Sequence, residues 1–286
     1  MAADNAEVGL TVDVDGIATN YHRAGSGPPV LLVHGSGPGV SAWANWRLTV
    51  PALAERFTVY APDVVGFGYT ERPEGFPYGL AAWREHLLGF ADAIGLDRFS
   101  LVGNSFGGGL AISIAVSAPE RVDRLVLMGS VGVSFPITEG LDAVWGYQPS
   151  VAEMRRLLDI FAVDRSLVSD ELAEMRYAAS VRPGVQEAFA AMFPAPRQAG
   201  VDGLATPEEL IAAIPHPTLV VHGRDDRIIP LRNAFRLLEL VDDSRLHVFG
   251  RCGHWTQIER ADEFNALVAD FLGGPGHRTP AGPRLG

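Results

Sequence analysis

Residues 99–115 read FSLVGNSFGGGLAISIA, and this stretch decides the fold. An apolar β-type run ends in Gly103-Asn104-Ser105-Phe106-Gly107 and passes at once into a helical run. Glycines two residues either side of Ser105 fit a strand–turn–helix so tight that no side chain is tolerated beside the serine. Such a turn lifts the hydroxyl above the sheet edge, at the positive end of the following helix. The bare G-x-S-x-G pattern is weak in a chain with 32 glycines; its place between strand and helix gives it meaning.

A serine hydroxyl attacks only when a base removes its proton, so a histidine and an orienting carboxylate must follow. TLVVHGRDDRIIP (218–230) sets Asp226 just past a strand, three residues after Gly223, and RLHVFGRCGHWTQIE (245–259) sets His254 in the loop after the next strand. The expected triad is Ser105, Asp226 and His254, with Asp225 the competitor for the acid. His222 and His247 fall in or at the end of strands and read as core or surface residues. His22, His34, His86, His216 and His277 lack both the position and an acid partner. Cys252, the single cysteine, reads as a buried structural thiol.

Upstream, LLVHGSGPGVSAWANW (31–46) runs an apolar strand into a glycine-rich turn. A dinucleotide loop would want glycine where Val40 stands, and a phosphate loop would want a lysine that is missing. Serine attack instead creates an oxyanion that needs preorganised N–H donors. The expected donors are the backbone amides of Phe106 and Ser36, with Gly35 and Gly37 letting the backbone approach the substrate and Pro38 stiffening the turn.

Around these motifs the chain alternates. Strand-like runs appear at LTVDV, ATNYHRA, PVLLVH, FTVYAPD, FSLVGN, RLVLMG, TLVVHG and RLHVFG, the later ones almost continuously apolar, as in a sheet covered on both faces. Helical periods lie at 79–95, 107–119, 232–241 and 261–272. The expectation is an α/β class chain with a mostly parallel sheet. Between RLVLMG and TLVVHG no strand is convincing; 151–163, 169–181 and 184–193 read as helices, and Trp145, Tyr147, Phe161, Tyr177, Phe189 and Phe193 enrich the interval. It is expected to form a helical cap over 133–213, inserted into a core of 1–132 and 214–272. The tail 273–286, with five glycines and three prolines, is expected to be disordered. A net charge of −11 disfavours nucleic acid and anionic membranes as partners. The N-terminus lacks signal-peptide character and no apolar run reaches membrane-span length, so a cytoplasmic protein is expected. No motif calls for a metal or cofactor.

With these residues in view, the chain resembles the α/β-hydrolase superfamily over nearly its whole length. More narrowly it is similar to the meta-cleavage product hydrolases, through HGSGPGVSAWANW, GNSFGGG, HGRDDRIIP and HVFGRCGHWTQIE. TEGLDAVWGYQPS and FAVDRSLVSDELAEMRYAAS in the cap resemble the branch acting on monocyclic ring-fission products. The resemblance implies an eight-stranded sheet with the cap after the sixth strand. It also implies carbon–carbon hydrolysis of a 2-hydroxy-6-oxo-dienoate after enol-to-keto tautomerisation, by Ser105 or by water directly. Asn104, Arg176 and Trp255 would contact the small anionic dienoate, no cofactor would be needed, and members are commonly homo-oligomers. A carboxylesterase or perhydrolase with the same triad is the alternative, and a non-catalytic ligand-binding protein on the same fold a remoter one.

Overall fold

The computed structural model describes residues 5–274. Eight strands form one sheet: β1 (Leu10–Val14), β2 (Ile17–Ala24), β3 (Pro29–Val33), β4 (Thr58–Pro62), β5 (Phe99–Asn104), β6 (Val122–Met128), β7 (Thr218–Gly223) and β8 (Ser244–Phe249). Their spatial order is β1-β2-β4-β3-β5-β6-β7-β8. β2 runs antiparallel to both β1 and β4, and every later neighbour pair is parallel. Every residue of β5 and of β7 is buried, which is why these strands read as almost continuous apolar runs.

The helices are α1 (Ala42–Trp46), α2 (Thr49–Leu53), α3 (Leu80–Ala93), α4 (Phe106–Ser117), α5 (Glu139–Trp145), α6 (Val151–Phe161), α7 (Asp170–Ser180), α8 (Val185–Met192), α9 (Gln198–Gly203), α10 (Glu208–Ile211), α11 (Leu231–Leu240), α12 (Thr256–Glu259) and α13 (Ala261–Gly273). Alternation along β3 shows how they share the sheet. Leu31 and Val33 join the core made with α3, α4 and α11, whereas Val30 and Leu32 join the core made with α1, α2 and α13. Helices thus cover both faces, and the motifs around Ser105, Asp226 and His254 all fall at the carboxyl ends of the parallel strands, where ligands of open α/β sheets bind.

Helices α5 to α10 lie between β6 and β7, and the runs at 151–163, 169–181 and 184–193 are helical there. Ser150 starts α6 by accepting from the Glu153 amide (3.0 Å), and Ser169 starts α7 by accepting from the Leu172 amide (3.1 Å), each satisfying an otherwise orphan donor. Leu141, Trp145, Leu157, Phe161, Phe189 and Phe193 bury their side chains continuously with the α3–α4 core. Each such burial contributes roughly 1.5–3 kcal/mol, so the helices between β6 and β7 are anchored on that core. Helix α10 packs against α4 and α11. Of the tail expected to be disordered, Gly273 ends α13; from residue 275 onward the tail, with His277, lies outside the described residues.

Candidate active site

Ser105 sits between β5 and α4 with φ 54° and ψ −114°, a conformation side chains rarely adopt. Its amide donates to Met128 O (2.8 Å), tying the turn to the end of β6. The flanking glycines are sterically compelled. A Cβ on Gly107 would lie 2.3 Å from Val33 O, and one on Gly103 would lie 2.4 Å from Gly107 O. The strain at one residue is thus held by close backbone packing around it.

Asp226 Oδ2 lies 2.7 Å from His254 Nδ1, and its Oδ1 accepts the Ile228 and Ile229 amides at 2.7 and 3.0 Å. The Asp226 side chain is fully buried; burial opposes its ionisation, but the charge and hydrogen bond of His254, with His222 and the Ile229 amide, outweigh it and hold the carboxyl below its ordinary value. Asp225 points away: its side chain is 38% exposed and faces Arg224. His222, read from the sequence as a core or surface residue, is buried 3.4 Å from Asp226 Oδ2, with Nε2 3.0 Å from Ile229 O. Burial lowers its pKa, keeping it neutral. His254 is fixed from its backbone too, since its amide donates to Phe161 O in the cap (2.8 Å). Beneath the pair lies Gly129 at φ 51°, where a Cβ would come within 3.2 Å of His254 Nδ1. Cys252 is buried, and burial pushes its thiol up to about 12, which leaves it a protonated, inert core group.

The glycine-rich turn after β3 approaches the nucleophile. A Cβ on Gly35 would lie 2.7 Å from Asn104 Oδ1 and 3.3 Å from Ser105 Cβ. The Gly35 amide is spent on Asn45 Oδ1 (2.7 Å), and His34 is structural, accepting the Val64 amide at Nε2 (3.0 Å). Burial pushes the His34 imidazole down to about 4. Among the described residues the Ser36 and Phe106 amides have no protein acceptor. The Ser36 hydroxyl accepts the indole N–H of Trp145 in α5 (2.9 Å), so α5 helps set the position of this turn.

A cavity of about 700 Å³ opens here, within the size range of small-molecule sites. Gly35, Ser36, Gly37, Asn104, His254 and Trp255 line it; Ser105, beside Gly35, is not itself among the lining residues, nor are Phe106 and Asp226. Trp255 stacks on Phe161 (5.0 Å between centroids, 13° between planes). Arg176 of α7 also lines the cavity, with Arg47 and Arg182, but it is already engaged. Its Nη1 is 3.1 Å from Glu7 Oε1, and its Nη2 donates to Gly39 O. Asp226 and His254 are thus paired, Gly35 approaches Asn104 and Ser105, and Ser36, Asn104, Arg176, His254 and Trp255 line one cavity, while Glu7, Asn45, Gly129, Trp145 and Phe161 join them without having been given a site role by the sequence. Among the described residues no group of three or more His, Cys, Asp or Glu side chains is placed to hold a metal ion.

Residues 28–261 match the model of the alpha/beta hydrolase fold family. The chain is 61% identical over 269 residues to the 2-hydroxymuconate semialdehyde hydrolase of a Pseudomonas species (strain CF600), covering 94% of this chain and 95% of that protein. It is 62% identical over 268 residues to the 2-hydroxy-6-oxo-2,4-heptadienoate hydrolase of Pseudomonas putida, covering 94% and 97%. The solved structure of a serine-to-alanine mutant of a meta-cleavage product hydrolase from Pseudomonas fluorescens, complexed with acetates, superposes with a TM-score of 0.93 at 57% identity, covering 93% of this chain and 98% of that one.

Proposed function

The chain belongs to the alpha/beta hydrolase family and, within it, to the meta-cleavage product hydrolases, and on that premise we propose that it hydrolyses the C5–C6 bond of 2-hydroxymuconic semialdehyde or its 6-alkyl analogues. One observation carries this reading beyond a generic esterase. The cavity lined by His254 and Asn104 is also lined by the arginines 47, 176 and 182, so an acyl-transfer site and a strongly cationic wall share one space. A dienoate matches both, with a scissile carbonyl at C6 and a carboxylate at C1. A neutral ester uses only the first.

The residues then take these roles. Carbon leaves only if its electron pair can enter a carbonyl, so the dienol first ketonises: the 2-hydroxyl loses a proton and C5 gains one, with His254 as the carrier. Ser105 adds to C6 while His254 takes the hydroxyl proton and Asp226 steadies the imidazolium. The Ser36 and Phe106 amides receive the oxyanion. Collapse breaks C5–C6, the pair flows through C4 and C3 into the C2 carbonyl, and the resulting dienolate oxygen takes up a proton. Water, deprotonated by His254, then releases the short acid from Ser105. Asn104, Trp255, Gly35 and Gly37 hold the dienoate, and Arg176 its carboxylate.

We also place the enzyme in the cytoplasm as a homo-oligomer with no nucleic-acid or membrane partner. A single buried cysteine suits a reducing compartment, and Phe235 and Leu238, exposed on α11, suit self-association. Among the described residues no helix is long and apolar enough to cross a membrane. The reaction is tested by product analysis. Incubation with 2-hydroxymuconic semialdehyde should yield formate and 2-hydroxypenta-2,4-dienoate in equal amounts; loss of the substrate without formate would overturn the reading.

A further inference from the structure

The cationic wall of the cavity carries its own carboxylate. Among the described lining residues Glu7 is the one acid in a wall that also holds Arg47, Arg176 and Arg182, and it contacts Arg176 directly. It is held there on every side. Oε1 pairs with Arg176 (3.1 Å), Oε2 accepts from Ser41 Oγ (2.8 Å), and the Glu7 carbonyl accepts Asn20 Nδ2 (3.1 Å) and lies 3.2 Å from His22 Nε2. The Arg176 and Glu7 side chains are only 12% and 16% exposed. Asn20 is in turn bonded to buried Asp63 (2.8 Å), so the N-terminal segment is fastened to the core before it reaches the arginine.

We propose that Glu7 is a resident carboxylate that occupies part of the Arg176 anion site in the empty enzyme and thereby sets how tightly a substrate carboxylate binds. The inference deepens the function argued above and rests on it for the identity of the substrate. Its physics is that of a buried charge. Without Glu7 the guanidinium of the empty enzyme would stand in a poorly solvated wall beside two other cations, which is costly. With Glu7 the empty site is stable, but an arriving carboxylate must displace it or lie beside a second negative charge. The ligand gains only the difference between its own pairing and the pairing it disturbs. Glu7 acts through Arg176, so it is an affinity-setting residue and takes no part in bond breaking.

The probe is sorbate, hexa-2,4-dienoate, which has the chain length and carboxylate of the substrate and no C6 carbonyl, with hexa-2,4-dien-1-ol as its uncharged partner. Glu7→Gln keeps the reach, its oxygen still accepting from Arg176 and its amide nitrogen donating to Ser41 Oγ in place of the bond accepted there, while removing the charge. Calorimetric titration should show the sorbate Kd falling by roughly tenfold in Glu7→Gln, as expected for removing a like charge a few ångströms away at intermediate dielectric, with the alcohol unaffected. Glu7→Asp, which keeps the charge but draws it back, should lie between. The unliganded Glu7→Gln protein should also melt at a lower temperature and be stabilised more by sorbate than the parent. A sorbate Kd that is unchanged or raised in Glu7→Gln would overturn the proposal and leave Glu7 as a structural clasp between N-terminus and cap, and no sorbate binding by the parent would overturn it as well. Failure of the functional reading is separable: the parent would then bind sorbate, tightened by Glu7→Gln, without cleaving the dienoate.

Discussion

Asp226→Asn should abolish catalysis while leaving the fold nearly intact, and the hydrogen bonds say why. Oδ1 accepts the Ile228 and Ile229 amides, a role an asparagine oxygen fills equally well. That fixes the amide nitrogen on the Oδ2 side, facing His254 Nδ1 at 2.7 Å. An N–H donor there forces the imidazole to carry its proton on Nε2, the nitrogen that must be free to take the Ser105 proton. The loss should be roughly three to four orders of magnitude in kcat, or about 4–5.5 kcal/mol of transition-state stabilisation. The new amide would also meet His222 Nε2, 3.4 Å from the same oxygen, at a cost of about 1 kcal/mol in stability. Asp225→Asn, on a half-exposed side chain beside Arg224, should change kcat by less than about twofold by the same reasoning. The assay is loss of the dienolate absorbance at saturating substrate, with thermal melts of both variants. Asp226→Asn activity within tenfold of the parent, or equal losses at 225 and 226, would refute the assignment of the acid.

Arg176→Ala should lower kcat/KM on the dienoate by about 2–4 kcal/mol of binding, read as a loss of a few tens- to several hundred-fold, with hydrolysis of neutral p-nitrophenyl acetate far less affected; equal losses on both substrates would contradict a carboxylate role. Gly129→Ala puts a methyl 3.2 Å from His254 Nδ1 at a left-handed φ, and displacing the imidazole should cut kcat by about 10- to 100-fold in stopped-flow turnover; unchanged kcat would show that His254 tolerates the shift. Asp63 is fully buried, accepting from the Ala42 amide (2.6 Å), the Tyr69 amide (2.7 Å) and Asn20 Nδ2, and Asp63→Asn would turn a donor onto a donor, costing about 1–3 kcal/mol in denaturant titrations. Burial raises the Asp63 carboxyl from 3.8 to about 6, so its contribution to stability is present below the ordinary carboxylate range and lost as pH rises through about 6. The lowered Asp226 carboxyl works in the opposite sense, its contribution being present above the ordinary range and lost only on stronger acidification. A stability profile between pH 4 and 7 that Asp63→Asn leaves unchanged would contradict the first assignment.

The parts legible in the sequence are those whose cause is local. Gly103 and Gly107 announce the turn because the backbone contacts that exclude a Cβ are made by the motif and the adjoining strand. Asp226 and His254 follow because each sits a fixed few residues beyond an apolar strand. The sheet itself was legible because burial on both faces leaves few polar positions in β5 and β7, Ser100 and Asn104 in the one and Thr218 and His222 in the other, to interrupt the apolar run. What escaped depends on distance along the chain. Glu7 meets Arg176 across 169 residues and Trp145 meets Ser36 across 109, and no spacing rule links such pairs. Arg176 could be singled out by resemblance, yet nothing at positions 170–180 reveals that its guanidinium is already paired. The short helices α5, α9 and α10 escaped for another reason: they are four to seven residues long and two contain glycine, so they never complete an amphipathic repeat.

One cavity joins acyl-transfer chemistry to a carboxylate site, and turnover of two substrates measured side by side distinguishes that arrangement from a plain esterase. Purified enzyme would be given 2-hydroxymuconic semialdehyde and p-nitrophenyl acetate separately, with bleaching of the yellow dienolate and release of nitrophenolate followed under the same conditions. The kcat/KM for the dienoate should exceed the ester value by about two orders of magnitude or more, since only the dienoate gains the cationic wall. Comparable values, or an ester preference, would contradict it and make the protein a carboxylesterase with a misread pocket.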